Sequence, residues 1–329
     1  MKHLPPYYHP TQICCLDDNQ RFLQRLTAAM PADQTFRAFS TPESALNYVL
    51  QQNTQPTLAD RCFERHDHSI QLNLTTIEHE IKQMQRFDRL SVVLVDYSMP
   101  TMDGLEFCAA IAHMDVRRVL LTSVANEKLA VAAFNDGLIH QYLPKAAITS
   151  PSAVVPYLLE QQQRYFQLYL RRITQALAAR PPEFMESQAF IAFFQGVLAE
   201  LAIVEYYLLT EPFGYLLLTA RGETFHLIVR TELQHRADLD TMRCHNAPAE
   251  LITAVSARQM MYVPYEHPQD YMGHETFPWE EFVFQAQQFQ GSPDWLAAVI
   301  SNPPTDVDFD ATTCSHEQYL HPPKTRASA

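Results

Sequence analysis

The chain has 329 residues, 47% of them hydrophobic, which is enough for two domains and excludes a chain that stays unfolded. Its net charge of −13 is unevenly placed: residues 181–329 hold seven basic against twenty acidic side chains. That sign opposes a grip on nucleic-acid phosphates, and the seven scattered glycines, none forming GxG or preceding a lysine, exclude the loops that cradle a nucleotide phosphate.

No run approaches the roughly 18 apolar residues of a membrane span, and the N-terminal MKHLPPYYHP lacks a signal-peptide core. The six cysteines form no CxxC pair, so the expectation is a cytoplasmic chain with reduced thiols.

QICCLD (12–17) reads as a short buried strand ending in Asp17-Asp18. NQRFLQRLTAAM then sets Phe22, Leu23, Leu26 and Met30 on one helical face. TFRAFS (35–40) alternates like a strand, and Thr41 with Pro42 opens a second helix. SVVLVD (91–96) is a second buried strand, followed by a helix over LEFCAAIAHM (105–114). RVLLTS (118–123) is a third, NEKLAVAAFNDG a helix closed by Gly137, and IHQYLPK (139–145) a last strand. Near-continuous apolar strands alternating with helices predict a parallel sheet covered on both faces.

In such sheets the working residues lie at the carboxyl ends of the strands, here Asp17, Asp18, Asp96, Thr122, Ser123 and Lys145. Three gathered carboxylates repel one another unless a cation sits among them, and oxygen ligands suit Mg²⁺. Acids, a hard cation, one lysine and one hydroxyl together suit phosphoryl transfer onto a carboxylate.

Asp17-Asp18, Asp96 followed by Met99-Pro100 and Asp103-Gly104, then LLTS and YLPK, together resemble the receiver domain of bacterial two-component response regulators over roughly residues 10–150. The resemblance implies a flavodoxin-like, doubly wound sheet of five parallel strands. It implies that Asp96 accepts phosphate from a sensor histidine kinase or phosphotransfer protein. Asp17, Asp18, Asp96 and the main-chain carbonyl of Ser98 would hold Mg²⁺, Thr122 and Lys145 would grip the phosphoryl oxygens, and Tyr142 would be the aromatic switch. Two departures stand out: Ala146 follows Lys145 where the family usually has Pro, and an insertion of about residues 53–88 precedes the central strand. A helix-to-strand loop lies at the end of the sheet away from the acids, so the insertion is expected to leave them intact. Asp103 is read as an Asp-Gly turn residue.

SPSAVVPYLLEQQQRYFQLYLRRITQALAA (150–179) is expected to form one long helix with Ser150 as N-cap and a kink at Pro156. Val155, Leu159, Gln162, Phe166, Tyr169, Ile173 and Ala176 follow a coiled-coil seam, which suits a homodimer as well as it suits a helix packed on the C-terminal domain. The expected domains are therefore a receiver over 1–149, a linker helix over 150–180, an α+β output domain over 181–300 and a flexible acidic tail over 301–329.

In the output domain, a helix over SQAFIAFFQGVLAEL precedes a three-stranded antiparallel meander of VEYYLLT, GYLLLTA and TFHLIVRTE. APAELITAVSARQMMYV, PWEEFVFQAQQFQ and SPDWLAAVI read as helices. Trp279, Phe282, Phe284 and Phe289 read as core. Cys244, His245, His267, His274, Cys314 and His316 lack zinc-ligand spacing and read as isolated residues, as do Cys62, His66 and His68 in the insertion. Asp306, Asp308, Asp310 and Glu317 mimic a calcium loop without its glycine and read as solvated tail.

The function expected is a phosphorelay response regulator that signals by dimerisation or by binding a protein target through its C-terminal domain, with no enzymatic activity beyond transfer to and hydrolysis at Asp96. A DNA-binding regulator is the alternative, but no basic helix-turn-helix follows residue 180. Another is an enzymatic or small-molecule-sensing output, but no GGDEF, EAL or HD-GYP motif is present.

Overall fold

The computed structural model describes residues 4–54, 56, 79–123, 127–177, 183–210, 213–266, 268, 277–289, 295–301, 303 and 314–321. Most of the expected insertion, with Cys62, His66 and His68, lies outside the described residues, as do His267, His274, Asp306, Asp308 and Asp310. The chain divides into two units. One comprises residues 9–63, 83–172 and 319–329, and the other residues 1–8, 64–82 and 173–318. No helix among the described residues is long and apolar enough to cross a membrane.

The strands in chain order begin with β1 (Tyr7–Tyr8), which belongs to the second unit, and β2 (Gln12–Leu16), which starts the first. β3 (Thr35–Phe39), β4 (Leu90–Asp96), β5 (Arg117–Thr122) and β6 (Gln141–Pro144) complete the first unit's sheet, in the order β3-β2-β4-β5-β6 with every pair parallel. This is the five-stranded, flavodoxin-like sheet expected from the sequence.

Helices α1 (Gln20–Ala29), α2 (Pro42–Val49), α3 (Gly104–Ala110) and α4 (Glu127–Asn135) alternate with these strands. The two-residue period of β2 sends Cys14 and Leu16 to one face, packed with Ala45, Phe107, Cys108 and Ala130. Ile13 and Cys15 go to the other, packed with Leu23 and Leu26 of α1 and Val155 and Leu158 beyond β6. Both faces are therefore dry, which explains why β2, β4 and β5 are apolar throughout and not alternating.

The helix starts follow local chemistry. Asn19 caps α1 by accepting from the N–H groups of Arg21 and Phe22, and Thr41 caps α2 ahead of Pro42. Asp103 proves to be more than a turn residue: it caps α3 in a reciprocal box with Glu106.

The long helix departs from expectation. Ser150 leads into a 3-10 turn, Pro151–Val154, and α5 (Val155–Leu177) begins after it. Pro156 thus falls in the first turn, where its missing N–H leaves no intrahelical bond unmade, so nothing requires a kink there. The described part of the proposed seam is occupied by the first unit's own interior. Val155 and Leu159 pack in the core beneath α1, Phe166 is fully buried, and Gln162 Nε2 donates to the carbonyl and hydroxyl oxygens of Thr11 at 3.0 and 2.8 Å. Residues 155–166 therefore cannot also supply a dimer seam.

In the second unit, α6 (Gln188–Glu200) precedes β7 (Ile203–Thr210), β8 (Phe213–Thr219) and β9 (Thr224–Thr231). The meander is present, but the sheet has six strands in the order β1-β7-β8-β9-β13-β12. Tyr7 and Tyr8, expected in the receiver, pair with Tyr207 and Tyr206 at its edge.

After α7 (Glu232–Cys244), APAELITAVSARQMMYV is helical as expected over α8 (Ala249–Ser256), but its end and parts of the other two stretches read as helical are strands. They form β10 (Met260–Tyr262), β11 (Val283–Gln285), β12 (Gln287–Gln288) and β13 (Trp295–Ser301). WLAAVIS is a short apolar run that periodicity cannot assign, and pairing with β9 along its whole length decides it. Trp279 and Phe282 lie in the core with Tyr262 and Val283, Phe284 packs beside Met261, and Phe289 packs on Phe190 and Phe193, as expected.

Tyr319, on the last short helix α9 (His316–Leu320), was assigned to a free tail. Its hydroxyl instead donates to Asp88 Oδ1 at 2.8 Å and accepts from Gln12 Nε2 at 3.0 Å, beside the Phe87 ring.

Candidate functional site

Parallel alignment of β2, β4, β5 and β6 brings their carboxyl ends to one edge of the sheet. Asp17 follows β2, Asp96 and Thr122 end β4 and β5, and Lys145 follows β6. Asp17, Asp18 and Asp96 each offer a carboxylate oxygen, and these oxygens lie within 4.8 Å of one another. Among the described residues this is the only group of His, Cys, Asp and Glu side chains spaced to hold a metal ion. The Cys244-His245 and Cys314-His316 candidates form no such group.

Asp17 and Asp96 are buried, with 1% and 2% of their surface exposed, whereas Asp18 is open to solvent. Lys145 Nζ stands 2.7 Å from Asp96 Oδ1 and 3.8 Å from Asp17 Oδ2, on a side chain still 43% exposed. The ammonium is thus anchored by charge but free to swing toward a ligand. Burial pushes the Asp17 carboxyl up to about 6, and Asp96 adds to the rise. The N–H of Asn19, which donates to Asp17 Oδ1 at 2.8 Å, pulls the other way, as does Lys145. Two buried acids with one partly exposed cation leave negative charge uncompensated. Three oxygen donors on that charge fit a hard divalent cation such as Mg²⁺.

The loop after Asp96 is set by the backbone. Tyr97 N–H donates to the Leu121 carbonyl, and Gly104 N–H donates to the Tyr97 carbonyl at 3.0 Å. A Cβ on Gly104 would meet the Asp96 carbonyl oxygen at 2.4 Å, so only glycine lets α3 start this close to β4. This is the physical content of Asp103-Gly104 in the sequence: one residue caps the helix and the next permits its approach.

Thr122 is fully buried, and its hydroxyl donates to the Ser123 carbonyl at 3.1 Å. Tyr142 lies half-buried on β6, edge-on to Phe134 with ring centres 6.4 Å apart. Ser98 is exposed in the loop between β4 and α3. The structure therefore gathers Asp17, Asp18, Asp96 and Lys145, while Thr122, Tyr142 and Ser98 make no direct contact with the carboxylates among the described interactions. Asn19, which orients Asp17, was not singled out from sequence; its position two residues after a site acid and ahead of a helix was the available signal.

The second unit hides a polar set that the sequence reading also missed. Arg230 Nε donates to Asp238 Oδ2 at 3.0 Å, with both side chains largely buried. His226 Nδ1 and the Tyr265 hydroxyl lie 2.9 Å apart, and Tyr207 donates to Glu205 at 2.8 Å. Burial holds His226 down to about 4, so it is neutral near pH 7. Burial, helped by the charge of Asp238, pushes the Tyr262 hydroxyl up to about 12.

Residues 51–150 match the family model of the response regulator receiver domain. That match begins beyond Asp17 and Asp18, and the structure supplies β2, α1, β3 and the whole of α2 ahead of it. Over 98% of both chains the fold is similar to that of the Legionella pneumophila response regulator LqsR, at 27% identity with a TM-score of 0.80. A signal receiver domain of an HD-domain-containing protein from Pseudomonas fluorescens Pf-5 matches 48% of this chain and 98% of its own, at 20% identity with a TM-score of 0.31. No curated protein matches the chain.

Proposed function

Because the chain carries a response regulator receiver domain, we propose that it accepts a phosphoryl group on Asp96 from a phosphohistidine of a sensor kinase or phosphotransfer protein. The observation that carries this reading is the meeting of Asp17, Asp18 and Asp96 with Lys145 at the carboxyl edge of the parallel sheet. An Asp96 oxygen is the nucleophile. It stands at the carboxyl end of β4, 2.7 Å from the Lys145 ammonium.

Lys145 holds Asp96 before transfer and follows the charge onto the phosphoryl oxygens during it. The Thr122 hydroxyl, released from Ser123, offers a second donor, and Tyr142, edge-on to Phe134 of α4, reports the change toward that helix. Asp17, Asp18 and Asp96, with the Ser98 carbonyl, would hold Mg²⁺, which when bound neutralises the acids and the developing charge. The buried positions of Asp17 and Asp96 keep competing water at a distance and strengthen these interactions.

The output is dimerisation or the binding of a protein target by the C-terminal unit, without a further enzymatic activity. Twenty acidic against seven basic side chains over residues 181–329 support a protein target in place of a nucleic acid. The test is incubation with phosphoramidate and Mg²⁺, wild type against Asp96→Asn, with intact mass and size both measured. One added phosphoryl group and a shift in size in the wild type alone are expected. No mass gain in the wild type would reject the reading.

A further inference from the structure

At the amino ends of β2 and β4, the far end of these strands from Asp17 and Asp96, lies a cavity of about 520 Å³. Its lining comes entirely from the first unit. That volume is in the range of small-molecule sites, but such sites are mostly apolar and this one is not. Tyr48 supplies its single ring; five side-chain amides, two guanidinium groups, one carboxylate and one hydroxyl supply the rest.

Part of this lining has a structural use. Gln12 opens the apolar β2 with 5% of its surface exposed, and three partners hold its carboxamide. It accepts from the Tyr48 hydroxyl, and its Nε2 donates to the Tyr319 hydroxyl at 3.0 Å and to Asp88 Oδ1 at 3.5 Å. Asn53 ties the end of α2 to β4 through the N–H and the carbonyl of Leu90. A buried network satisfied in this way makes a rigid polar floor.

The walls have no such use. Burial raises the pKa of the Tyr48 hydroxyl and the Arg37 guanidinium pulls it back, which places that charge beside the floor. Arg37 is exposed and makes no ion pair among the described residues. It stands on β3, the outermost strand, where a charge guards the sheet edge. Edge protection does not explain the amides lining the same cavity. Gln51 and Gln85 are exposed, and their carboxamides have no partner among the described residues. Arg89 adds a second guanidinium against the single carboxylate of Asp88, so the lining is net positive in a chain of net charge −13. Guanidinium groups take the oxygens of a carboxylate or phosphate as paired hydrogen bonds. Side-chain amides both donate and accept, which matches the hydroxyl groups of a ligand.

We propose that this cavity binds a small hydroxylated anion, with its carboxylate or phosphate on Arg37 and Arg89 and its hydroxyl groups on Gln51 and Gln85. The proposal stands independently of the phosphoacceptor reading of Asp96.

The test is isothermal titration calorimetry of the full chain at low ionic strength without Mg²⁺. Gluconate is the hydroxylated carboxylate, glucose 6-phosphate the hydroxylated phosphate, and glucose the neutral control. At least one anion should bind at a single site, about tenfold tighter than glucose. Arg37→Ala should weaken that binding about tenfold, and Gln51→Ala/Gln85→Ala about fivefold. Arg164→Ala removes an exposed guanidinium outside the cavity and should leave binding unchanged. All these positions are exposed, so the variants should melt with the wild type. Binding of gluconate alone identifies a carboxylate as the anionic group, and binding of glucose 6-phosphate alone a phosphate. Anions that bind no tighter than glucose, or anion binding that either cavity variant keeps in full, would overturn the proposal and leave the phosphoacceptor reading untouched.

Discussion

At Gly104 a single hydrogen in place of a methyl group decides how close α3 comes to the end of β4, where Asp96 stands. Replacing it with alanine forces Asp96 and Leu120 apart, because the new atom would stand 2.4 Å from one and 2.8 Å from the other. Gly104→Ala should cost about 2 kcal/mol, read by chemical denaturation, and should slow phosphorylation of Asp96 with small donors. Asp17 gives a pH signature. Its folded value of about 6 lies above the ordinary 3.8, so its contribution to stability is full below about pH 4 and is lost as pH rises through 6. The loss is about 2–3 kcal/mol at most. Metal-free protein should therefore melt lower at pH 7.5 than at pH 5, and Asp17→Asn should flatten that dependence. Mg²⁺ should raise the melting temperature more at pH 7.5 than at pH 5, since below 6 a proton competes for the same oxygen. At this scale the site acids and Lys145 were readable, because each ends an apolar run that otherwise has no use for charge. Asn19 and the role of Gly104 were not, since both act through backbone approach, which spacing alone does not reveal.

Among the elements, β2, β4 and β5 were legible because burial on both faces makes them continuous apolar runs, and β3 because it alternates. The C-terminal strands β10 to β13 were not. Met260–Tyr262 and Trp295–Ser301 are short and lack alternation, so only their pairing partners distinguish them. β1 was illegible for a related reason: two tyrosines carry no period, and the pairing with Tyr206 and Tyr207 is some 200 residues distant in sequence. Within the second unit, β9, α7 and β10 enclose the Arg230–Asp238 pair. Asp238→Ala strands a buried guanidinium and should destabilise by about 3–5 kcal/mol. Among the described residues the buried Tyr262 hydroxyl has no hydrogen-bond partner, so Tyr262→Phe should be neutral or stabilising by about 1 kcal/mol. Trp279 and Trp295 are the chain's two tryptophans and both belong to this unit, so their fluorescence reads its unfolding directly.

For the whole molecule, charge and architecture point the same way. The first unit holds the acidic site at one edge of a parallel sheet, and the proposed protein target is argued from the acidic charge of residues 181–329. Retention on immobilised DNA at moderate salt is expected to be absent for the phosphorylated and unphosphorylated protein alike, and salt-sensitive retention would argue for a DNA-binding output instead. The account depends most on where the phosphoryl group goes. After treatment with phosphoramidate and Mg²⁺, borohydride reduction converts an aspartyl phosphate to homoserine, and peptide mass mapping locates it. The account predicts homoserine at position 96 and nowhere else; an unreduced Asp96, or the label on another residue, would contradict it.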